Sequence, residues 1–271
     1  MSAVLHSIDA LFGLVSESKS LLDQTPLCEQ PFHQLRVWNN DMLEFVDTIR
    51  SCNTHQRRIT DDILVLSKLD SELFLISPTV FHLETFVRQI EKTFGPEAKE
   101  AKIDFTVSID DSAQSLGIEW VKADPGRFMQ VLTSLVANAI KFTRDQNGPR
   151  DIDIRLGAGS SPDLPAFINL NMVEDTTCED STDNILREDE LYLWCSVRDT
   201  GCGMDTKGMT RILSQASPKT YNRYGGSGFG LVVSRKLVKL QAGRIGFISN
   251  QGARSTFVFS AKATRTSSNE L

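Results

Sequence analysis

Apolar residues recur at helical spacing through the first seventy positions. Val4, Ile8, Leu11 and Val15 stand four, three and four residues apart. From Trp38 a second stripe runs through Met42, Phe45, Ile49, Cys52, Gln56, Ile59, Ile63 and Leu66, alternating steps of four and three, with Gln56 its one polar member. A repeat of this kind is the seam of a helix that packs along another helix. Pro26 and Pro31 interrupt the pattern between Gln24 and Gln34, so it predicts an antiparallel helical hairpin. A single hairpin does not bury wide stripes on both helices. The expectation is a four-helix bundle built by two chains, the competing arrangement being packing against the chain's own C-terminal half.

After Leu69 the periodicity changes. "LFLISPTVF" reads as a short strand with Pro78 at its edge or turn, residues 82–94 as a helix, and "IDFTVSID" and "GIEWVKAD" as strands. Asp124 and Pro125 then open a strongly apolar helix, "GRFMQVLTSLVANAIKFT", with the aspartate as N-cap and the proline in the first turn. "DIDIRLGAG" and "LYLWCSVRDTG" are strands, "GLVVSRKLVKLQAG" a helix, and "RIGFISN" and "STFVFSAK" a closing hairpin. Helices and antiparallel strands mix without regular βαβ alternation, which predicts an α+β two-layer sandwich. The expected organisation is a helical hairpin over residues 1–71 and an α/β domain over 72–263. An acidic, Ser- and Asp-rich surface insertion is expected over about 158–190, and a disordered tail over 264–271.

Composition narrows the classes. A formal net charge of −6 offers no general attraction to nucleic acid or anionic membrane. No apolar run is long enough to span a bilayer, and no signal-peptide pattern opens the chain, so a cytoplasmic protein is expected. Cys28, Cys52, Cys178, Cys195 and Cys202 form no CxxC and read as reduced thiols. His6, His33, His55 and His82 do not stand at metal-ligand spacing.

Three motifs carry chemistry. On the apolar helix, Asn138 offers an amide oxygen suited to Mg²⁺, and Lys141, one turn on, an ammonium suited to a phosphate; a polar edge on a buried helix is the competing reading. In Asp199-Thr200-Gly201-Cys202-Gly203, a carboxylate at a strand end is able to accept from the exocyclic amine of adenine, while the glycines let backbone approach the ring; the competing reading is an ordinary Asp-Gly turn. In Gly225-Gly226-Ser227-Gly228-Phe229-Gly230, bare backbone N–H groups precede a helix N-terminus and make a phosphate cradle. A flexible linker is disfavoured there because an apolar helix begins inside the motif. No GxxxxGK[ST] is present, which excludes a P-loop protein.

In this order and on these elements the motifs resemble the histidine-kinase branch of the GHKL ATPases. "QVLTSLVANAIKFT" is similar to that family's N box, "VRDTGCGM" and "YGGSGFGL" to its two glycine boxes, "SQASPKTYNRYGGSG" to its ATP lid and "GARSTFVF" to its closing strand. "RRITDDILVLSKLDS" resembles the second helix of its dimerisation and phosphotransfer hairpin, and the pairing of "LSKLDS" with "WVKADPGRFMQVL" resembles hybrid kinases of the fungal type. The resemblance covers nearly the whole chain and implies ATP and Mg²⁺ as cofactors. It implies that Asn138 ligates Mg²⁺ and that Lys141 contacts phosphate. Asp199 would bind the adenine amine, in a pocket shaped by Gly201 and Gly203. Gly226, Gly228 and Gly230 would line the triphosphate, Lys219 of the lid would reach the γ-phosphate, and Thr256 would support the adenine end. The implied reaction moves the γ-phosphoryl group to a histidine imidazole, and the implied partners are a second copy, a histidine phosphoacceptor and a response-regulator receiver domain.

The chain also departs from that pattern. The family's phosphoacceptor lies in a His-Glu-x-x-Asn-Pro segment, and "MSAVLHSIDA" is similar to the residues immediately after that Asn-Pro, so the acceptor is expected outside this chain. His6 falls off the heptad stripe and reads as a solvated helix residue. Ser134 stands where the N box has its first asparagine, and "RILSQASP" lacks the lid's usual phenylalanine pair. The alternative function is an acceptor-less nucleotide-binding module that regulates an intact kinase by heterodimerising with it.

Overall fold

A computed structural model describes residues 2–24, 31–70, 75–162, 189–205 and 229–267. The chain divides into two compact units between Ser67 and Lys68. In the first, helix α1 (Ser2–Gln24) and helix α2 (Pro31–Asp70) form a hairpin. Its antiparallel alignment is fixed at two levels. Asn39 Nδ2 donates to the Val15 carbonyl at 3.1 Å, and Ser18 Oγ donates to Asn39 Oδ1 at 2.9 Å. Further along, the Arg50 guanidinium lies 3.4 Å from the Asp9 carboxylate and 5.8 Å from the Phe12 ring centroid. Ile8 is buried and Leu11 exposed, so the α1 stripe divides between the inside of the hairpin and its surface. The α2 stripe faces outward: Trp38, Met42, Phe45, Ile49 and Ile63 are 50–68% exposed in the single chain.

The second unit opens with strand β1 (Thr79–His82), helix α3 (Leu83–Glu100), strand β2 (Asp104–Ile109), a short helix α4 (Asp111–Ser115) and strand β3 (Trp120–Ala123). Helix α5 (Pro125–Arg144) leads into strand β4 (Asp151–Gly159) and strand β5 (Glu190–Asp199). Helix α6 (Gly230–Leu240), strand β6 (Ile245–Asn250) and strand β7 (Arg254–Thr266) complete the described elements. The strands form one sheet in the order β1-β3-β7-β5-β4-β2, with β6 also paired to β7. All neighbours are antiparallel except β2 and β4.

Local chemistry explains the elements that carry the site. Asp124 caps α5 by accepting from Arg127 N at 3.0 Å, with Pro125 in the first turn. Phe128, Val131, Leu132, Leu135, Val136, Ala139 and Ile140 then form a buried stripe at helical spacing. Phe128 packs 4.5 Å from Phe259 of β7 and 5.8 Å from Phe86 of α3, measured between ring centroids, which ties both helices to the sheet. Each such buried ring contributes roughly 1.5–3 kcal/mol of transfer free energy.

Two expectations need correction. The closing strand does not stop at residue 263: Trp120, Val121 and Lys122 pair with Thr266, Arg265 and Thr264. Those three residues are polar, which reads as a tail, but ladder hydrogen bonds hold them without burial. The insertion expected over about 158–190 is narrower at both ends, since β4 includes Ala158 and Gly159 and β5 begins at Glu190. Residues 163–188 of it lie outside the described residues, as do 268–271 of the tail.

Candidate functional site

The half-buried edge of α5 carries Ser134, Asn138 and Lys141, at spacings of four and three. Such spacing places them on one face of the helix. Burial lowers the pKa of the Lys141 ammonium.

Asp199 ends β5, 4% exposed. Its Oδ1 accepts from Gly201 N at 2.9 Å, and it pairs with Ser255 across the β5–β7 ladder. Burial pushes its carboxyl up to about 6, against the opposing pull of the Gly201 and Ser255 N–H groups. Thr200 fastens the turn: its hydroxyl donates to the Pro149 carbonyl at 2.8 Å and accepts from Asp151 N at 2.9 Å.

The glycines after Asp199 are required by close approach. A Cβ on Gly201 would stand 2.7 Å from Asp199 Oδ1 and 2.9 Å from the Phe142 carbonyl in the last turn of α5. Gly203 has φ of +61°, and a Cβ there would overlap the Asn250 carbonyl oxygen. The loop is further held by Gly252 N donating to the Cys202 carbonyl at 2.8 Å and Met204 N donating to Ser249 Oγ at 2.8 Å. One side of α5 therefore meets the loop after Asp199. One turn before Asn138 it meets α6, since a Cβ on Gly230 would fall 2.5 Å from Ser134 Oγ.

The structure thus gathers Asp199, Gly201 and Gly203 at one end of α5 and Gly230 near its middle, with Asn138 and Lys141 between. Lys219, Gly226 and Gly228 lie outside the described residues. Thr256 is not beside Asp199. It pairs with Arg198, and successive strand residues face opposite ways, so the neighbour of Asp199 is Ser255. Ser255 is 6% exposed, with its Oγ 2.9 Å from Ser249 Oγ. The motif "RST" contains both residues, and only strand register distinguishes them. Sequence reasoning also passes over Thr143. It is fully buried in the last turn of α5, with a hydroxyl that has no partner among the described residues.

These groups fit a nucleotide with its metal. A buried acceptor stands next to glycines that leave no room for side chains, and a half-buried amide and ammonium lie along one helix edge. Among the described residues no cluster of three or more His, Cys, Asp or Glu would hold a metal alone. A lone amide oxygen suits Mg²⁺ that takes its other ligands from phosphate and water.

Fold and site define a protein of the ATPase class built on a helix-backed mixed sheet. The family model described as "Histidine kinase-, DNA gyrase B-, and HSP90-like ATPase" matches residues 123–265, just over half of the chain, and the chain belongs to this family. Histidine kinase 5 of Arabidopsis thaliana is 31% identical over 206 residues, covering 74% of this chain and 21% of that protein. Hybrid signal transduction histidine kinase K of Dictyostelium discoideum is 30% identical over 215 residues, covering 78% of this chain and 16% of its own length. The chain spans about a fifth of the length of these relatives. The solved structure of full-length ShkA in complex with AMPPNP shares the fold, with a TM-score of 0.58 at 19% identity, over 98% of this chain and 46% of that one.

Proposed function

We propose that this chain is a histidine protein kinase core that binds Mg-ATP and directs the γ-phosphoryl group to a histidine of a two-component phosphorelay. The observation that supports this reading is that the turn from Asp199 to Gly201 packs against the last turn of α5, the helix whose half-buried edge carries Asn138 and Lys141. Asp199 accepts from the adenine amine, and Gly201 and Gly203 keep the ring side of the pocket clear. Ser255, through its backbone N–H, holds the Asp199 carboxylate on the adenine side in place of Thr256. Asn138 presents its amide oxygen to Mg²⁺, and Lys141 presents its ammonium to phosphate. The first N–H groups of α6, free of helical partners, face negative charge favourably; Gly226, Gly228, Gly230 and Lys219 complete the triphosphate side. When bound, Mg-ATP supplies the phosphoryl group; the protein contributes positioning and charge neutralisation.

The outward α2 stripe supports a homodimer through the hairpin, with the acceptor histidine on a hairpin and a receiver domain as the downstream partner. No described helix is long and apolar enough to cross a membrane, and the proposed site of action is the cytoplasm. Incubation with γ-labelled ATP and an acceptor-bearing hairpin is expected to label that hairpin, and the label should be lost with Asn138→Ala. Tight Mg-ATP binding without any transfer would overturn the kinase reading in favour of an acceptor-less regulatory module. Failure to bind nucleotide at all would overturn both.

A further inference from the structure

The α2 stripe runs from Trp38 to Leu66, about 42 Å of helix at 1.5 Å per residue. Its own hairpin leaves most of it uncovered: Trp38, Met42, Phe45 and Ile49 are each more than half exposed, and so are Leu11 and Leu14 of α1, while Ile59 and Leu66 are half-buried. Large exposed apolar side chains repeated at heptad spacing along one helix mark a surface that another helix covers. A heptad seam of this length requires helices of matching length and repeat. A second copy of the chain supplies both, with the outward residues of α1 and α2 forming a self-complementary patch.

Gln56 interrupts that patch. It is exposed, it sits one heptad step beyond Cys52 and one before Ile59, and it is the stripe's single polar member. Its backbone carbonyl is occupied by Thr60 Oγ1 at 2.9 Å, as an ordinary helical side-chain contact. Once the stripe is covered, the Gln56 amide is withdrawn from water and must find a partner, because a buried amide without one is strongly unfavourable. In a dimer with its two-fold along the bundle axis, each residue and its copy lie at the same height. The amide of Gln56 then meets the amide of its own copy, and each donates to the other's oxygen.

We infer that Gln56 is the residue that makes the hairpin select a second copy of this chain over helical partners carrying an apolar residue at that level. This rests on the homodimer proposed above. Single polar seam positions are known to specify register and partner at some expense of stability.

The test mixes full-length wild type with a mass-tagged Gln56→Leu chain, lets subunits exchange to equilibrium, and counts species by native mass spectrometry. The mixed dimer is expected at least threefold below its statistical share, because one amide is left unpaired in it. Gln56→Leu homodimers should dissociate less readily than wild type. A Met42→Leu chain, altered elsewhere on the stripe, should mix with wild type statistically. Statistical mixing of Gln56→Leu with wild type, or an excess of the mixed dimer, would overturn the role of Gln56 while leaving the dimer intact. A wild-type chain that sediments as a monomer at all accessible concentrations would overturn the dimer itself.

Discussion

Asp199 concentrates the chemistry of the site in one group. Its carboxyl titrates near 6 rather than the ordinary 3.8 because burial disfavours the charged form. The native state therefore holds the proton more tightly than the unfolded chain. The stability this confers is complete below about 3.8 and is lost as pH rises through about 6. At pH 7.5 the ionised carboxylate costs roughly 3 kcal/mol, at about 1.36 kcal/mol for each pH unit separating the folded and unfolded titrations. Unliganded Asp199→Asn should consequently melt above wild type at pH 7.5, with the gap narrowing as pH falls through 6 and closing below about 4, measured by thermal denaturation across that range. The same variant should lose roughly 10- to 100-fold in Mg-ATP affinity by calorimetry, the size of a hydrogen bond to a charged acceptor. An Asp199→Asn chain that binds Mg-ATP like wild type would remove Asp199 from the pocket. Gly203 provides an independent check of the same loop. Its φ of +61° and the nearby Asn250 carbonyl leave no space for a methyl group, so Gly203→Ala should destabilise by at least about 1–2 kcal/mol in urea titration. The residue scale is also where sequence reading falls short. Asp199 and its glycines are recognisable because a carboxylate followed by two closely spaced glycines is a local signal. The choice between Ser255 and Thr256 is not local, since it depends on how β7 registers against β5.

Among the elements, α5 is the most legible, and the reason is physical. A capping aspartate, a proline in the first turn and an uninterrupted stripe from Phe128 to Ile140 all agree on one helix. Helix α4 escapes notice because five residues carry no periodicity; only Asp110, accepting from Ser112 N at 3.0 Å, marks its start. Strand pairing is equally hidden. That β2 runs parallel to β4, and that β7 borders β5 on one side with β6 and β3 on the other, depends on contacts between distant segments. Asp124 shows how one side chain sets an element in place. Besides capping α5 through Oδ1, it accepts from Ser77 N through Oδ2 at 2.8 Å, fastening the segment that leads into β1. Asp124→Ala should remove both bonds and cost about 1–3 kcal/mol, from the lost cap and the Ser77 donor left behind. Asp124→Asn, which keeps an amide oxygen for the cap, should cost less. Denaturant titration of the two variants checks the order.

At the scale of the molecule, the two units are built on different physics, and this separates what each should do alone. Among the described residues, the contacts that shape the candidate pocket lie within the second unit: Gly201 against Phe142, Gly203 against Asn250, Gly230 against Ser134, and Asp199 paired with Ser255. That unit also has its own core, with Phe86, Phe128 and Phe259 linking two helices to the sheet. Among the described residues of the hairpin, the buried ones are Ile8, Asn39 and Asn53, while Trp38, Met42, Phe45, Ile49 and Ile63 are at least half exposed. A chain beginning at Lys68 is therefore expected to fold, to bind Mg-ATP within about threefold of the full chain, well under the tenfold that about 1.4 kcal/mol represents, and to melt at a temperature independent of its concentration. The full chain should show a second transition that rises with concentration, because a hairpin whose apolar area is covered only by another copy gains stability by mass action. Calorimetric scans of both chains over a hundredfold range of concentration distinguish the cases. If the shortened chain lost nucleotide binding while remaining folded, the hairpin would have to contribute to the pocket, and the division of labour argued from these contacts would fail.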